Sequence, residues 1–389
     1  MTEAAGDDHQ PIDQHEQISP PEGRDVPRFQ KYFEALSKAS GSDLHLKQNS
    51  VPHIRVNGQL YATESRSIST EEIQQMAEEL MTDEQREYFR RHGSIDLAHE
   101  IAGGDRFRLN VYRQRGAVAV AVRRVSREIP DFEQLHLPAA IGKIAEARQG
   151  LVLLAGPTGC GKSTTIAAML EHINRTRRCH ILTIEDPIEY IYEDKKALVG
   201  QREIGIDVES FEAALKYLMR EDPDVVLIGE LRDRDTFQAA LQASETGHMV
   251  FGTVHASSAP QTIGRILDLF DADSRELARQ SLAFNLQAII CQKLLDSVAD
   301  DVERVPAVEV LLRTPTTRQL IHEGRDDELA DAIRSGQRQG MQTFTDSLME
   351  LIDKDWIEPS VAYEAAPNPD ELKMAMKGIS TDRGRILGG

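Results

Sequence analysis

An apolar run, Leu151 to Ala155, stops at Gly156. The chain then passes through Pro157, Thr158, Gly159, Cys160 and Gly161 to Lys162, Ser163 and Thr164. Glycines at this density let the backbone curl until several N–H groups face one point, and a helix starting behind them adds the positive end of its dipole. The residues from Gly156 to Ser163 fit the spacing G-x-x-x-x-G-K-[ST], which adds one ammonium and one hydroxyl to those N–H groups. This set suits a chain of phosphates. Lys162 would reach the terminal phosphate oxygens, and the Ser163 hydroxyl would ligate a Mg2+ ion bridging them. Cys160 occupies a variable position of the pattern and reads as a small filler.

Two acidic segments could complete such a site. In DPDVVLIGELRD four apolar residues lead to Gly229 and Glu230, so a carboxylate stands at a strand tip, where it could serve the metal. HILTIEDPIEY ends a second apolar run in Glu185, Asp186 and Glu189; a carboxylate there could orient or deprotonate an attacking water. A third segment, ETGHMVFGTVHASSA, brackets an apolar run with His248 and His255. Their spacing does not put them on adjacent helical turns, so a metal pair is not expected. Imidazoles at the two ends of a strand near phosphate could sense or stabilise it.

These residues need a scaffold. LVLLAG, HILTIED, DVVLIGE and MVFGTVH are short and apolar on both faces, with helical patterns between most of them. That texture predicts parallel strands buried between helix layers, with ligands gathering at their carboxyl ends. Upstream, FQKYFEALSKA reads as an amphipathic helix and LHLKQNSVPHIRVNGQLYA as a hairpin turning at Asn-Gly. ISTEEIQQMAEELMTDEQREYF reads as a helical stretch capped at Ser69, and RFRLNVYR and AVAVAVRRV as two strands. Together they predict a small α+β domain. After Phe270 the pattern reads as mostly helical, through SRELARQSLAFNLQAIICQKLL, DELADAIRSG and FTDSLMELIDK.

Composition narrows the function classes. The 389 residues suffice for two domains, and 40% hydrophobic with 28% charged residues is globular. A formal net charge of −19 weighs against a nucleic-acid surface. No apolar run reaches the roughly 18 residues of a membrane span. MTEAAGDDHQPIDQHEQ lacks the basic start and apolar run of a signal peptide. Cys160, Cys179 and Cys291 are unpatterned, which fits a reducing cytoplasm. Residues 1–27, with seven acidic residues against one arginine, read as a disordered acidic tail.

Taken in order, GPTGCGKS, TIEDPIEY, VVLIGELRD and GHMVFGTVH resemble the Walker A, acidic, Walker B and histidine boxes of the secretion-superfamily ATPases. SDLHL, IRVNG, RFRLNVYRQRG, LVGQREIG and GMQTF place the resemblance in the type IV pilus retraction branch, over residues from about Phe29 to Pro367. The resemblance implies an α/β chain with a PAS-like α+β N-terminal domain (28–130), a linker (131–149) and a RecA-like P-loop ATPase core (150–270). A helical C-terminal region (271–366) and a flexible tail (367–389) would follow. It implies ATP and Mg2+ as ligands, with Gly156 to Thr164 on the nucleotide and Ser163 and Glu230 on the metal. Glu185, Glu230, His255 and His248 would act in hydrolysis, and Arg108, Arg113 and Arg123 would supply arginines from the N-terminal domain. Its implied assembly is a cytoplasmic homo-hexamer bound peripherally to the inner membrane through the pilus platform protein, with a sister retraction ATPase as a further partner.

The departures are specific. GELRD stands where GEMRD is usual, and HASSA replaces a Thr-rich continuation. The retraction-associated AIRNL motif is replaced by TRQLI, Thr317 to Ile321, which leaves room for an accessory role in retraction. An assembly or secretion motor of the superfamily would carry paired CxxC motifs after the histidine box, where this chain has Cys291 alone. A nucleotide-gated scaffold would not require the complete set of Lys162, Ser163, Glu185, Glu230 and His255.

Overall fold

The computed structural model describes residues 27–56, 58–101, 105–300 and 302–378. The described chain divides into two units, residues 27–127 with 203–210, and residues 128–202 with 211–378. Of the acidic tail expected over 1–27, residues 1–26 lie outside the described residues, as do 379–389.

The first unit contains α1 (Pro27–Lys38), β1 (Asp43–Lys47), β2 (His53–Val56) and β3 (Gln59–Ala62), then α2 (Thr70–Leu80), α3 (Asp83–His92), β4 (Ser94–Glu100), β5 (Arg106–Gln114) and β6 (Ala117–Val125). The strands form one antiparallel sheet in the order β3-β2-β1-β6-β5-β4. Phe29 and Phe33 of α1 are fully buried, and Phe33 stacks on Phe107 of β5 with ring centroids 4.4 Å apart. The helical stretch after Ser69 is two helices. Ser69 caps α2 in a box with Glu72, and Thr82 opens α3 in a second box with Gln85. Two reciprocal caps thirteen residues apart satisfy the orphan N–H groups of two helix starts, so the chain turns at Met81 and Thr82.

The second unit begins with α4 (Ala140–Ala145), β7 (Gly150–Ala155), α5 (Lys162–Thr176), β8 (His180–Glu185), β9 (Leu198–Glu203) and α6 (Phe211–Leu218). It continues with β10 (Val225–Ile228), α7 (Arg234–Glu245), β11 (Met249–Val254), α8 (Ala259–Leu267), α9 (Ala272–Asn285), β12 (Leu286–Asp296) and β13 (Arg304–Leu312). α10 (Pro315–His322), α11 (Leu329–Ser335), α12 (Phe344–Asp353), α13 (Pro359–Ala365) and α14 (Pro369–Met376) complete it. The sheet order is β13-β12-β7-β11-β10-β8-β9. The β7–β11, β11–β10 and β10–β8 pairs are parallel, as the apolar runs predict, and β12 pairs parallel with β7 as well. Every residue of β7, β10 and β11 is buried, because helices cover both faces of such a sheet.

Three expectations change here. The supposed linker over 131–149 contains α4, whose Ile141 and Ile144 are buried in the core with Val152 and Ile166. The region after Phe270 is mostly helical as expected, but the sheet does not end there. LQAIICQKLLD forms β12 beside β7, and β13 returns antiparallel to it. An apolar run this dense fits helical and strand periods alike, and pairing with the open side of β7 decides between them. The segment expected as a flexible tail from 367 carries α14, whose Leu372 is fully buried where the helix packs on α12 and α13. Replacing Leu372→Ala should therefore destabilise the protein by about 2–5 kcal/mol, read as a lower urea midpoint; an unchanged midpoint would mean that α14 adds nothing to the core.

The added strands also anchor the segment that comes after β11. Glu309 of β13 stands opposite Cys291 of β12, and its Oε1 accepts the Ala259 N–H at the start of α8 at 2.8 Å. Burial pushes the Glu309 carboxyl up, opposed by the Ala259 N–H, the Cys291 thiol and the nearby Lys293 ammonium. A carboxyl raised in the folded state contributes stability that is complete below the ordinary glutamate pKa of 4.5 and is lost as pH rises through its folded value. Glu309→Gln keeps the acceptor oxygen and removes the charge. Its urea midpoint should exceed that of the parent protein at pH 7, and the difference should close as pH falls toward 4.

Candidate active site

Parallel pairing brings the carboxyl ends of four strands together. Ala155 of β7 is in register with Val254 of β11 and Cys291 of β12, and Ile228 of β10 with Ile184 of β8 and Gly252 of β11. The segments leaving these strands therefore meet in one place. β7 leads into the glycine loop, β8 ends on Glu185, β10 leads to Gly229 and Glu230, and β11 leads to His255.

The loop from Gly156 to Gly161 has the conformation its glycines permit. Gly156 has φ 152° and Gly161 has φ 90°. A Cβ at Gly156 would lie 2.5 Å from the Gln292 carbonyl oxygen, and one at Gly161 would lie 2.7 Å from Gln292 Nε2. Both positions exclude a side chain by conformation and by space. Pro157, Thr158 and Gly159 are exposed, while Cys160 is buried and its thiol is pushed up by that burial, as suits a filler. Lys162, 9% exposed, begins α5 and donates from Nζ to the carbonyls of Gly156 at 2.8 Å and Pro157 at 3.0 Å. An ammonium has three donors, so one remains for an anion. Ser163 is exposed on the first turn of α5, and the neighbouring Thr164 hydroxyl lies 3.0 Å from the Tyr190 hydroxyl.

The two carboxylates occupy different settings. Glu185 Oε1 accepts the Thr183 hydroxyl at 2.6 Å and the Gln201 side-chain amide at 3.3 Å. Glu230 receives Arg232 Nε on Oε2 at 2.7 Å and faces His255 Nε2 from Oε1 at 3.3 Å. Hydrogen bonding to Glu230 raises the Arg232 guanidinium further above its usual value. The strand tips are tied backbone to backbone: Gly229 N–H donates to Ile184 at 2.8 Å and Leu231 N–H to Thr253 at 3.0 Å. His255 and residues 156–160 line one cavity of about 720 Å³, with Arg265 and Lys293 also in its wall.

His248 does not join this group, which corrects its expected role. It precedes Met249, which pairs with Gly150 at the opposite end of β7. Six strand residues at about 3.3 Å each separate it from His255. Its ring instead closes the turn after α7, with Nδ1 2.9 Å from the Ala243 carbonyl and 3.1 Å from the Thr246 hydroxyl. The three arginines belong to the first unit. Arg108 and Arg123 are cross-strand neighbours on β5 and β6, with Arg123 Nε donating to Asp43 at 2.8 Å, and the Arg113 guanidinium lies over the Phe89 ring at 5.5 Å.

Sequence reading missed Arg232, Gln201 and Gln292. Arg232 stood inside a quoted motif, two residues past Glu230. Gln292 carried no signal, because its run read as helix.

The donor set fits a nucleotide phosphate chain: a loop with room for backbone and not for a Cβ, a helix start and a lysine. Among the described residues no cluster of three or more His, Cys, Asp or Glu could hold a metal ion. Ser163 and Glu230 are oxygen donors that could hold Mg2+ in the company of phosphate oxygens, the usual mode for this ion.

Comparison with known proteins agrees with this geometry. Residues 27–352 match the family of type II/IV secretion system proteins. The type IV pilus retraction ATPase PilT of Pseudomonas aeruginosa is 39% identical over 336 residues, covering 86% of this chain and 97% of that protein. The type IV pilus ATPase PilU of the same organism is 37% identical over 349 residues, covering 90% and 91%. A crystal structure of the pilus retraction motor PilT with bound ADP superposes with a TM-score of 0.82 at 39% identity, over 88% of this chain and 98% of that one. The Legionella pneumophila ATPase DotB superposes at 0.72 with 25% identity, over 94% and 98%. The chain belongs to the type II/IV secretion system protein family and, within it, to the ATPases of the pilus retraction branch.

Proposed function

We propose that this chain hydrolyses ATP and uses the energy to withdraw pilin subunits from the base of a type IV pilus. The observation that carries the reading is the convergence of the glycine–lysine loop, Glu185, Glu230 and His255 on adjacent strand tips of one parallel sheet. The loop N–H groups and Lys162 hold the phosphate chain. The Ser163 hydroxyl and the Glu230 carboxylate would hold Mg2+, which would supply positive charge against the phosphate oxygens. Glu185, oriented by Thr183 and Gln201, positions the attacking water and takes its proton as the bond to the terminal phosphate breaks. His255, against Glu230, links the state of that phosphate to the strand tip.

The same reading gives the first unit a PAS-like fold, supported by its antiparallel sheet and flanking helices. Arg108, Arg113 and Arg123 then complete the charge around the nucleotide in a hexameric ring. Arg suits that role because its fixed planar charge matches phosphate oxygens. ATP binding and release would change the relative orientation of the domains through differential contacts, and the ring would act on an inner-membrane platform protein from the cytoplasmic side. No helix among the described residues is long and apolar enough to cross a membrane. A second reading, an accessory motor working with a sister ATPase, is favoured by TRQLI on α10 in place of the retraction-associated motif.

Steady-state ATP hydrolysis by the full chain tests the proposal. Turnover should require magnesium, come from a species near six subunits in mass, and fall about a hundredfold or more in Lys162→Ala and Glu230→Gln. Undiminished turnover in both variants would contradict it. Tight ATP binding with no turnover under any condition would favour the accessory reading.

A further inference from the structure

β12 continues past the point where β7 ends, so Gln292, the residue after the Cys291–Ala155 pair, stands beside the start of the loop. Its side chain is packed away, with the residue 4% exposed. Nε2 donates to the Cys160 carbonyl at 2.7 Å, and Oε1 accepts the Thr165 hydroxyl at 2.8 Å. One planar amide thus ties the loop to the first turn of α5. The two contacts require opposite polarity at the two ends of one group, which a primary amide supplies and a carboxylate does not.

Peptide planarity carries this contact toward the ligand. In a trans peptide the carbonyl and the following N–H point in opposite directions. With the Cys160 carbonyl drawn onto Gln292, the Gly161 N–H is turned away from β12. Gly161 is the residue at which any Cβ would strike the Gln292 amide, so the peptide and the amide share one tightly defined space. We propose that Gln292 is a positioning residue for the nucleotide phosphates: acting through the Cys160–Gly161 peptide, it aims the Gly161 N–H into the cradle without touching the ligand. The proposal rests on the nucleotide-binding reading of the same loop.

The test is calorimetric titration of the full chain with ADP, alongside melting of the ligand-free protein, for three variants. Gln292→Glu keeps length and the acceptor for Thr165 but presents oxygen to the Cys160 carbonyl. Gln292→Met fills the space and makes neither hydrogen bond. Thr165→Val breaks only the helix side of the bridge and leaves the Cys160 contact in place. Both Gln292 variants should lose about tenfold or more in ADP affinity, the effect of one misdirected hydrogen bond to a charged group. Thr165→Val should stay within about threefold of the parent protein, although its melting temperature falls. ADP affinity within about twofold of the parent in either folded Gln292 variant would overturn the proposal. An equal loss in Thr165→Val would also overturn it, since that marks general packing. Failure of both Gln292 variants to fold would make the amide a folding requirement and defeat the positioning role. If the parent protein itself does not bind ADP, the nucleotide reading fails first, and this outcome is distinct from the others.

Discussion

β7 ends inside its own sheet, with β11 on one side and β12 on the other. Gly156 N–H still pairs with Val254 of β11 at 3.3 Å, and beyond it the chain leaves the sheet through a short loop into α5. An anion at a helix start can accept from the backbone donors gathered there. Much of the second unit serves this exit. Glycines permit the curl, Lys162 holds the mouth of the loop by its own carbonyls, and Gln292 ties its far side to α5. The loop suited to a phosphate chain thus stands where a buried parallel strand stops.

Chemistry is delegated to the neighbouring strands. Glu185 and Glu230 stand at adjacent tips: Glu185 accepts the Thr183 hydroxyl and the Gln201 amide, and Glu230 accepts the Arg232 guanidinium beside the His255 imidazole. The Thr183 hydroxyl and the Gln201 amide orient the Glu185 carboxylate. Glu230 already engages one cation, the Arg232 guanidinium. Arg232 holds Oε2 of Glu230 at 2.7 Å, a contact that an ion on the same carboxylate would have to share.

How much of this was legible in the sequence depends on distance along the chain. The glycine loop, the acidic tips and His255 were readable because each lies within a few residues of an apolar run that announces a strand. The caps at Ser69 and Thr82 are equally local, although the second was overlooked and two helices were read as one stretch. His248 was misassigned because its motif groups it with His255, while a six-residue strand puts the two at opposite ends of the sheet. β12 was misread because LQAIICQKLL satisfies either period, and only the open side of β7 settles the matter. Gln292 could not be found at all: its partners lie 132 and 127 residues away in the chain.

The account divides binding, done by the loop after β7, from hydrolysis, done by the carboxylates on the adjacent tips. A single-turnover measurement of ATP cleavage by Glu185→Gln, with ATP affinity determined on the same sample, tests that division most directly. The account predicts ATP bound about as tightly as by the parent protein and cleaved about a hundredfold or more slowly, in keeping with loss of a group that acts on the attacking water. Cleavage at the parent rate, or loss of ATP binding with the fold intact, would contradict it.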